Sequence, residues 1–329
     1  MSNPNSPLLF KPIFQERIWG GRKLAEVFGK DLLAGKRLGE SWEIVDRPEA
    51  QSVVANGPLR GKTLHELWTQ DRKEIFGNVA EDVGESPTSA RESRALPDRF
   101  PLLIKLLDAQ EKLSLQVHPT EEVAKVLGGE PKTEFWYVAA ADANAELYVG
   151  LRASLTREEF RDAVKQGTVA DRVHRIPVKA GDAMFLPAGR FHAVGGGNLL
   201  VEIQQNSDTT YRVFDWNRLD DQGKPRQFHI DQALQSIDFD DVAPGLIEPR
   251  GELLVKHKLF EIQKWNLDAA REVAPPGQFA IVGCLTGSVR STDVDLRPGE
   301  FFLVPAALQD RQIRPRESAT SLLHVTIPL

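Results

Sequence analysis

Four side chains in this sequence have the types and spacing to hold a metal ion. Gln116 and His118 lie two apart in LSLQVHP, Glu134 opens the run EFWYVAA, and His192 ends GDAMFLPAGRFH. Successive side chains of a strand point to opposite faces, so Gln116 and His118 share one face, as do Lys132, Glu134 and Trp136. Polar groups on one face of apolar strands are costly to bury unless something satisfies them, and one ion would satisfy this set. Two imidazoles, a carboxylate and an amide oxygen suit a borderline divalent cation, with zinc favoured and open positions left for water or substrate. A lone histidine on a strand is ordinarily a hydrogen-bonded core residue. The Gln-x-His pair, the Glu one strand later and the His after the turn together outweigh that reading.

Strands must position these groups. Apolar runs at Leu102–Leu107, Leu113–His118, Glu134–Ala140, Glu146–Leu151, Ala183–Leu186, His192–Val194 and Leu199–Gln204 have strand length. Residues 8 to 60 read as short strands with tight turns, with no helical period among them. Leu64–Phe76 has helical spacing, with Thr63 as N-cap and Gly77 as terminator. Thr156 and Glu159 form a capping box ahead of a helix Arg157–Gln166, and Ile230–Ile237 is a third short helix. From Gly251 onward short strands return (LLVKHKLFEIQKW, FAIVGCLTGSV, FFLVP, LLHVTI). Short strands, Gly/Pro turns and few helices indicate a mainly β barrel or sandwich protein. The polar stretch Asn78–Arg99 reads as an exposed loop.

The chain has 329 residues, enough for two compact domains, with 41% hydrophobic and 27% charged residues as in a soluble globular protein. A net charge of −6 argues against nucleic acid or anionic membrane as a partner. No apolar run is long enough for a membrane span, and MSNPNSPLLFKPIF lacks the pattern of a signal peptide. The single cysteine, Cys284, excludes an internal disulfide and fits a cytoplasmic setting; in FAIVGCL it reads as a buried thiol, not a nucleophile.

One pattern is written twice. Gly181 is followed by Pro187, Gly189 and His192, and Gly299 is followed at the same offsets by Pro305, Ala307 and Asp310. Duplication predicts two barrels in tandem, a catalytic domain at 1–245 and a barrel without a metal site at 246–329. His257 and His324 of the second read as ordinary core or surface histidines.

The G-x5-P-x-G-x2-H turn resembles the second motif of the cupin superfamily. More narrowly, LSLQVHP, KTEFWYV, PAGRFHAVGGG and VEIQQNSDTTYRVFDW, with the openings ERIWGG and GESWEI, resemble type I mannose-6-phosphate isomerases of the short bacterial form. The resemblance covers nearly all of residues 10 to 240. It implies one zinc ion per chain on Gln116, His118, His192 and Glu134, the set reached from strand geometry. It implies a sugar-phosphate substrate, with mannose 6-phosphate and fructose 6-phosphate interconverted through a metal-stabilised enediolate. It makes Arg212 the catalytic arginine and Lys132 a lysine near the metal, and it matches Ser114 and Arg218 to positions that contact phosphate.

The plainer alternatives are a solvated turn for Lys132 and Arg218, and a surface ion pair with Asp208 or Asp215 for Arg212. Glu202 shares a strand face with Gln204 and either lines the pocket or supports the ligands. The proton-moving group is left open among Lys132, Glu202 and a metal-bound hydroxide. Two histidines and a carboxylate also fit a non-haem iron oxygenase, and a sugar-phosphate-binding protein without catalysis is the other rival. A monomer or homodimer is expected.

Overall fold

The strand Glu134–Ala141 shows why the chain folds in layers. Its Phe135 and Tyr137 enter one apolar cluster, while Trp136 and Val138 enter another on the opposite face. The strands Leu102–Ala109 and Asn198–Gln205 divide in the same way, Ile104, Leu106, Val201 and Ile203 to one side and Leu107 and Leu200 to the other. A strand buried on both faces reads as a near-continuous apolar run, and these do. The computed structural model describes residues 4–32, 35–77, 98–219 and 222–328.

Among those residues four principal sheets stack. The first has five strands, in the order Val173–Pro177, Glu146–Leu151, His192–Val194, Leu115–Val117 and Tyr211–Phe214. It faces a six-stranded sheet ordered Ala183–Leu186, Glu134–Ala141, Asn198–Gln205, Leu102–Ala109, Ile13–Gly21 and Leu38–Ile44. Together they make the first barrel, whose interior holds Trp19, Leu107, Trp136, Leu147, Val149, Met184 and Leu200. Behind the six-stranded sheet lies a second six-stranded sheet, and its Phe260, Ile262, Ile281, Leu303, Leu323 and Val325 share the largest core with the first. A four-stranded sheet closes the second barrel. The protein is mainly β, with six short α-helices among the described residues.

The N-terminus ties the barrels together. Leu8 and Leu9 pair with Leu303 and Phe302, so the strand that begins the chain completes the second barrel's sheet. Phe76 and Phe100 then meet Phe279 of the second barrel edge-on, and Trp68 packs edge-on against both of them. Gly20 permits another close approach, since a side chain there would meet the backbone nitrogen of Gly39 at 2.5 Å.

Several elements differ from the sequence reading. The helix expected over Leu64–Phe76 is two helices, Leu64–Gln70 and Arg72–Phe76, hinged at Asp71. Thr63 is the N-cap of the first as expected, and Glu66 completes a capping box with it. The helices Lys23–Phe28 and Glu121–Leu127 were not expected; at six and seven residues they are too short for a periodic signal. Thr120 caps the second of these by accepting the Val123 amide. The helix after Thr156 is present with its capping box as read, and a helix begins at Ile230 without a side-chain cap. Residues 78–97 of the Asn78–Arg99 stretch lie outside the described residues; Arg99 pairs with Glu130.

Candidate metal centre

His118 and His192 reach one point from different strands. The strand Leu115–Val117 delivers Gln116 and, one residue past its end, His118; the neighbouring strand delivers His192, whose Cα partner is Gln116. Glu134 opens its own strand on the facing sheet. One ligand atom from each of His118, Glu134 and His192 lies within 4.8 Å of the others, and all three residues are buried. His118 Nε2 is 3.5 Å from Glu134 Oε1, and His192 Nε2 is 3.6 Å from Glu134 Oε2. Gln116 Nε2 is 3.5 Å from His192 Nε2.

Hydrogen bonds orient both rings. His118 donates Nδ1–H to the Thr209 carbonyl and His192 donates Nδ1–H to the Arg190 carbonyl, each at 2.8 Å. This tautomer leaves the Nε2 lone pairs aimed at Glu134, the arrangement a metal-binding histidine requires. Burial, together with Lys132 and the neighbouring imidazole, holds His118 well below the usual histidine range. Burial lowers His192 as well, against an opposing pull from Glu134. Both rings are therefore neutral near pH 7 and can donate a lone pair without first losing a proton. Glu134 Oε2 is buried with no hydrogen-bond partner. An unpaired buried carboxylate oxygen beside two unprotonated Nε2 atoms fits a divalent cation.

Lys132 is no solvated turn residue. It is 6% exposed, and its Nζ lies 2.7 Å from Glu134 Oε1 and 3.4 Å from His118 Nε2. Burial pushes the Glu134 carboxyl up, but Lys132, then His192 and Lys105, outweigh it and hold Glu134 below its ordinary value.

Glu202 sits one strand away, bound at 2.8 Å by Lys105 Nζ and at 2.9 Å by Trp136 Nε1. Despite burial, Glu202 and Glu40 hold the Lys105 ammonium strongly protonated. Glu40 accepts from Arg17 Nε at 2.8 Å and from Trp42 Nε1 at 2.6 Å. The openings ERIWGG and GESWEI thus meet behind the site and brace it. Lys105 and Glu40 were missed in the sequence because their partners lie on strands remote in the chain. For Lys105 the only signal was a charge inside a largely apolar strand.

Arg212 lies within the strand Tyr211–Phe214, an edge piece that pairs with Leu115–Val117. Its Nε donates to Ser114 Oγ at 3.3 Å and its Nη1 to the Gln227 carbonyl at 3.1 Å. It forms no ion pair with Asp208 or Asp215. Asp215, 1% exposed, is taken by Arg226 Nε at 2.7 Å and Arg218 Nη2 at 2.6 Å. Burial and Arg226 lower Arg212 below its usual value. Arg218 stands at the end of a tight turn whose central residues, Trp216 and Asn217, both have left-handed backbones (φ 56° and 57°). That conformation is strained for tryptophan, and the indole is held by its bond to the Leu113 carbonyl at 2.6 Å. Arg226 was missed: WNRLDDQGKPR reads as a surface loop, and only folding brings its arginine back to Asp215.

Tandem barrels of this plan, one with a buried two-histidine, one-carboxylate cluster, define a cupin with two barrels. Residues 8–162 match the model of the catalytic domain of type I phosphomannose isomerase. A probable mannose-6-phosphate isomerase of Bacillus subtilis is 38% identical over 316 residues, covering 91% of this chain and 93% of the relative. The mannose-6-phosphate isomerase of Streptococcus mutans is 36% identical over 93% of this chain and 94% of its own length. The crystal structure of a mannose 6-phosphate isomerase from Bacillus subtilis superposes with a TM-score of 0.81 at 33% identity, covering 98% of this chain and all of that one. The chain belongs to the type I phosphomannose isomerases, a family of enzymes.

Proposed function

We propose that this chain interconverts mannose 6-phosphate and fructose 6-phosphate in the cytoplasm, using one zinc ion held by Gln116, His118, Glu134 and His192. The observation that carries the metal part is the buried His118–Glu134–His192 cluster, with both Nδ1–H groups donated to carbonyls and Glu134 Oε2 unpaired. The family carries the substrate part. In this reading residues 1–245 form the catalytic domain and 246–329 the barrel without a metal site.

The reaction moves a proton between C1 and C2 of the sugar. The bound ion would supply Lewis-acid charge against the oxyanion of the enediolate. Arg212, without a carboxylate partner among the described residues, adds fixed positive charge on the same side. Lys132 and Glu202 are the groups assigned to hold or move the proton. Glu202 is fixed for this by Lys105 and Trp136, and Lys132 by Glu134. Arg218 binds the phosphate with Arg226 beside it. Arg212, Arg218 and Arg226 surround Asp215, with Glu111 3.9 Å from Arg218 as the other carboxylate, and the remaining positive charge suits a phosphate dianion. Ser114 is the remaining phosphate contact implied by the family.

The test is an assay of the zinc-loaded protein with mannose 6-phosphate, read as fructose 6-phosphate formed. Steady formation is expected. No product from metal-replete, folded protein would overturn the function.

A further inference from the structure

Ser114 is 3% exposed and touches two site groups at once. Arg212 Nε lies 3.3 Å from its Oγ, and its Oγ lies 3.0 Å from Gln116 Oε1. The guanidinium nitrogen can only donate, so Ser114 Oγ accepts there and its one proton goes to the Gln116 amide. The other end of that amide, Nε2, faces His192 Nε2 at 3.5 Å. We propose that Ser114 is a positioning residue that sets the Gln116 amide for the metal ion and ties it to Arg212. The proposal rests on the metal-dependent reading above.

An amide binds a cation through its oxygen, because the nitrogen lone pair is delocalised. For Gln116 to act as a ligand, Oε1 must replace Nε2 on the side of His192, and the NH2 group then turns to Ser114. The second lone pair of the Ser114 oxygen accepts that N–H while the first still accepts from Arg212. Only a group that both donates and accepts serves the amide in either orientation. In the ion-bound arrangement the Ser114 proton is released from Gln116 and becomes available to a phosphate oxygen. Metal binding and phosphate binding would thereby be coupled through one hydroxyl, and a coupling of this kind is reciprocal.

Outer partners of metal ligands commonly contribute about ten- to a hundredfold in metal affinity. Zinc affinity is therefore measured by chelator competition, without substrate, on wild type, Ser114→Ala, Ser114→Thr, Gln116→Ala and the Ser114→Ala/Gln116→Ala double variant. The expected result is a loss of about ten- to a hundredfold in Ser114→Ala, with affinity largely kept in Ser114→Thr. In the Gln116→Ala background Ser114→Ala causes no further loss, because the serine acts through the amide. Wild-type zinc affinity in Ser114→Ala, with only KM raised, would show a phosphate contact alone and overturn the proposal. Additive losses in the double variant would overturn it too. Should Ser114→Ala fail to fold, the Thr variant decides: a loss of affinity as large as that of Gln116→Ala contradicts the proposal. A wild-type protein that binds zinc without isomerase activity overturns the function reading and leaves this one standing.

Discussion

The two barrels share a plan, so their registers can be compared residue by residue. Gly181 and Gly299 begin matching turns, which aligns Met184 with Phe302 and Leu186 with Val304. Across the sheet Glu134 then corresponds to Ala280 and Trp136 to Val282. One strand further Glu202 corresponds to His324, and beyond it Lys105 to Gln263. Each of these three charged groups of the first interior thus has a neutral counterpart in the second. There Val282, Phe302, Leu308 and Ile313 pack together. His324 stacks on Trp265 at 4.1 Å and binds the Val273 carbonyl at 2.7 Å, so the second barrel's histidine is a structural one, as the sequence reading expected. The barrel itself is a scaffold stable with either filling, and function resides in which side chains face inward.

Substitutions that carry second-barrel features into the first break this comparison most sharply. Glu134→Ala, which copies Ala280, should abolish isomerase turnover and bound metal together; retained metal with full activity would remove Glu134 from the site. Lys105→Met leaves Glu202 as a buried carboxylate without its cation. The expected cost is about 3–5 kcal/mol in denaturant unfolding, whereas the apolar second interior has no such dependence. Arg212→Ala should lower kcat about a hundred- to a thousandfold while metal content stays constant. Loss of zinc along with activity would make Arg212 a structural residue.

The smallest effect lies in the second barrel. Burial pushes His324 down to about 4 from 6.5, partly opposed by its bond to the Val273 carbonyl. The unfolded chain therefore takes up this proton first as pH falls, and stability drops between pH 6.5 and 4 by about 3 kcal/mol from this group. His324→Gln should flatten that part of the stability–pH curve in chemical denaturation. An unchanged slope would mean the ring is not held neutral.

Much of the first barrel was legible because its chemistry interrupts apolar strands locally. Gln116, His118 and Glu134 stand within twenty residues of one another, and His192 follows a turn motif that the second copy makes conspicuous by lacking it. What could not be read was long-range. Nothing in FPLLIKLLDA says that Lys105 will pair with Glu202, and nothing near Arg226 says that it will return to Asp215. The expected strand Leu113–His118 narrows to Leu115–Val117 because only those residues find ladder partners, all three on Tyr211–Phe214 and Gln116 also on His192. The pairing of Leu8–Leu9 with the second barrel is of the same kind: a two-residue strand exists only by virtue of its partner.

The central claim is that turnover depends on one ion in the first barrel and none in the second. Protein dialysed against a chelator should form no fructose 6-phosphate from mannose 6-phosphate, and activity should return in proportion to added zinc, saturating at one ion per chain. Activity that survives complete metal removal, or that needs a second ion per chain, would contradict the account.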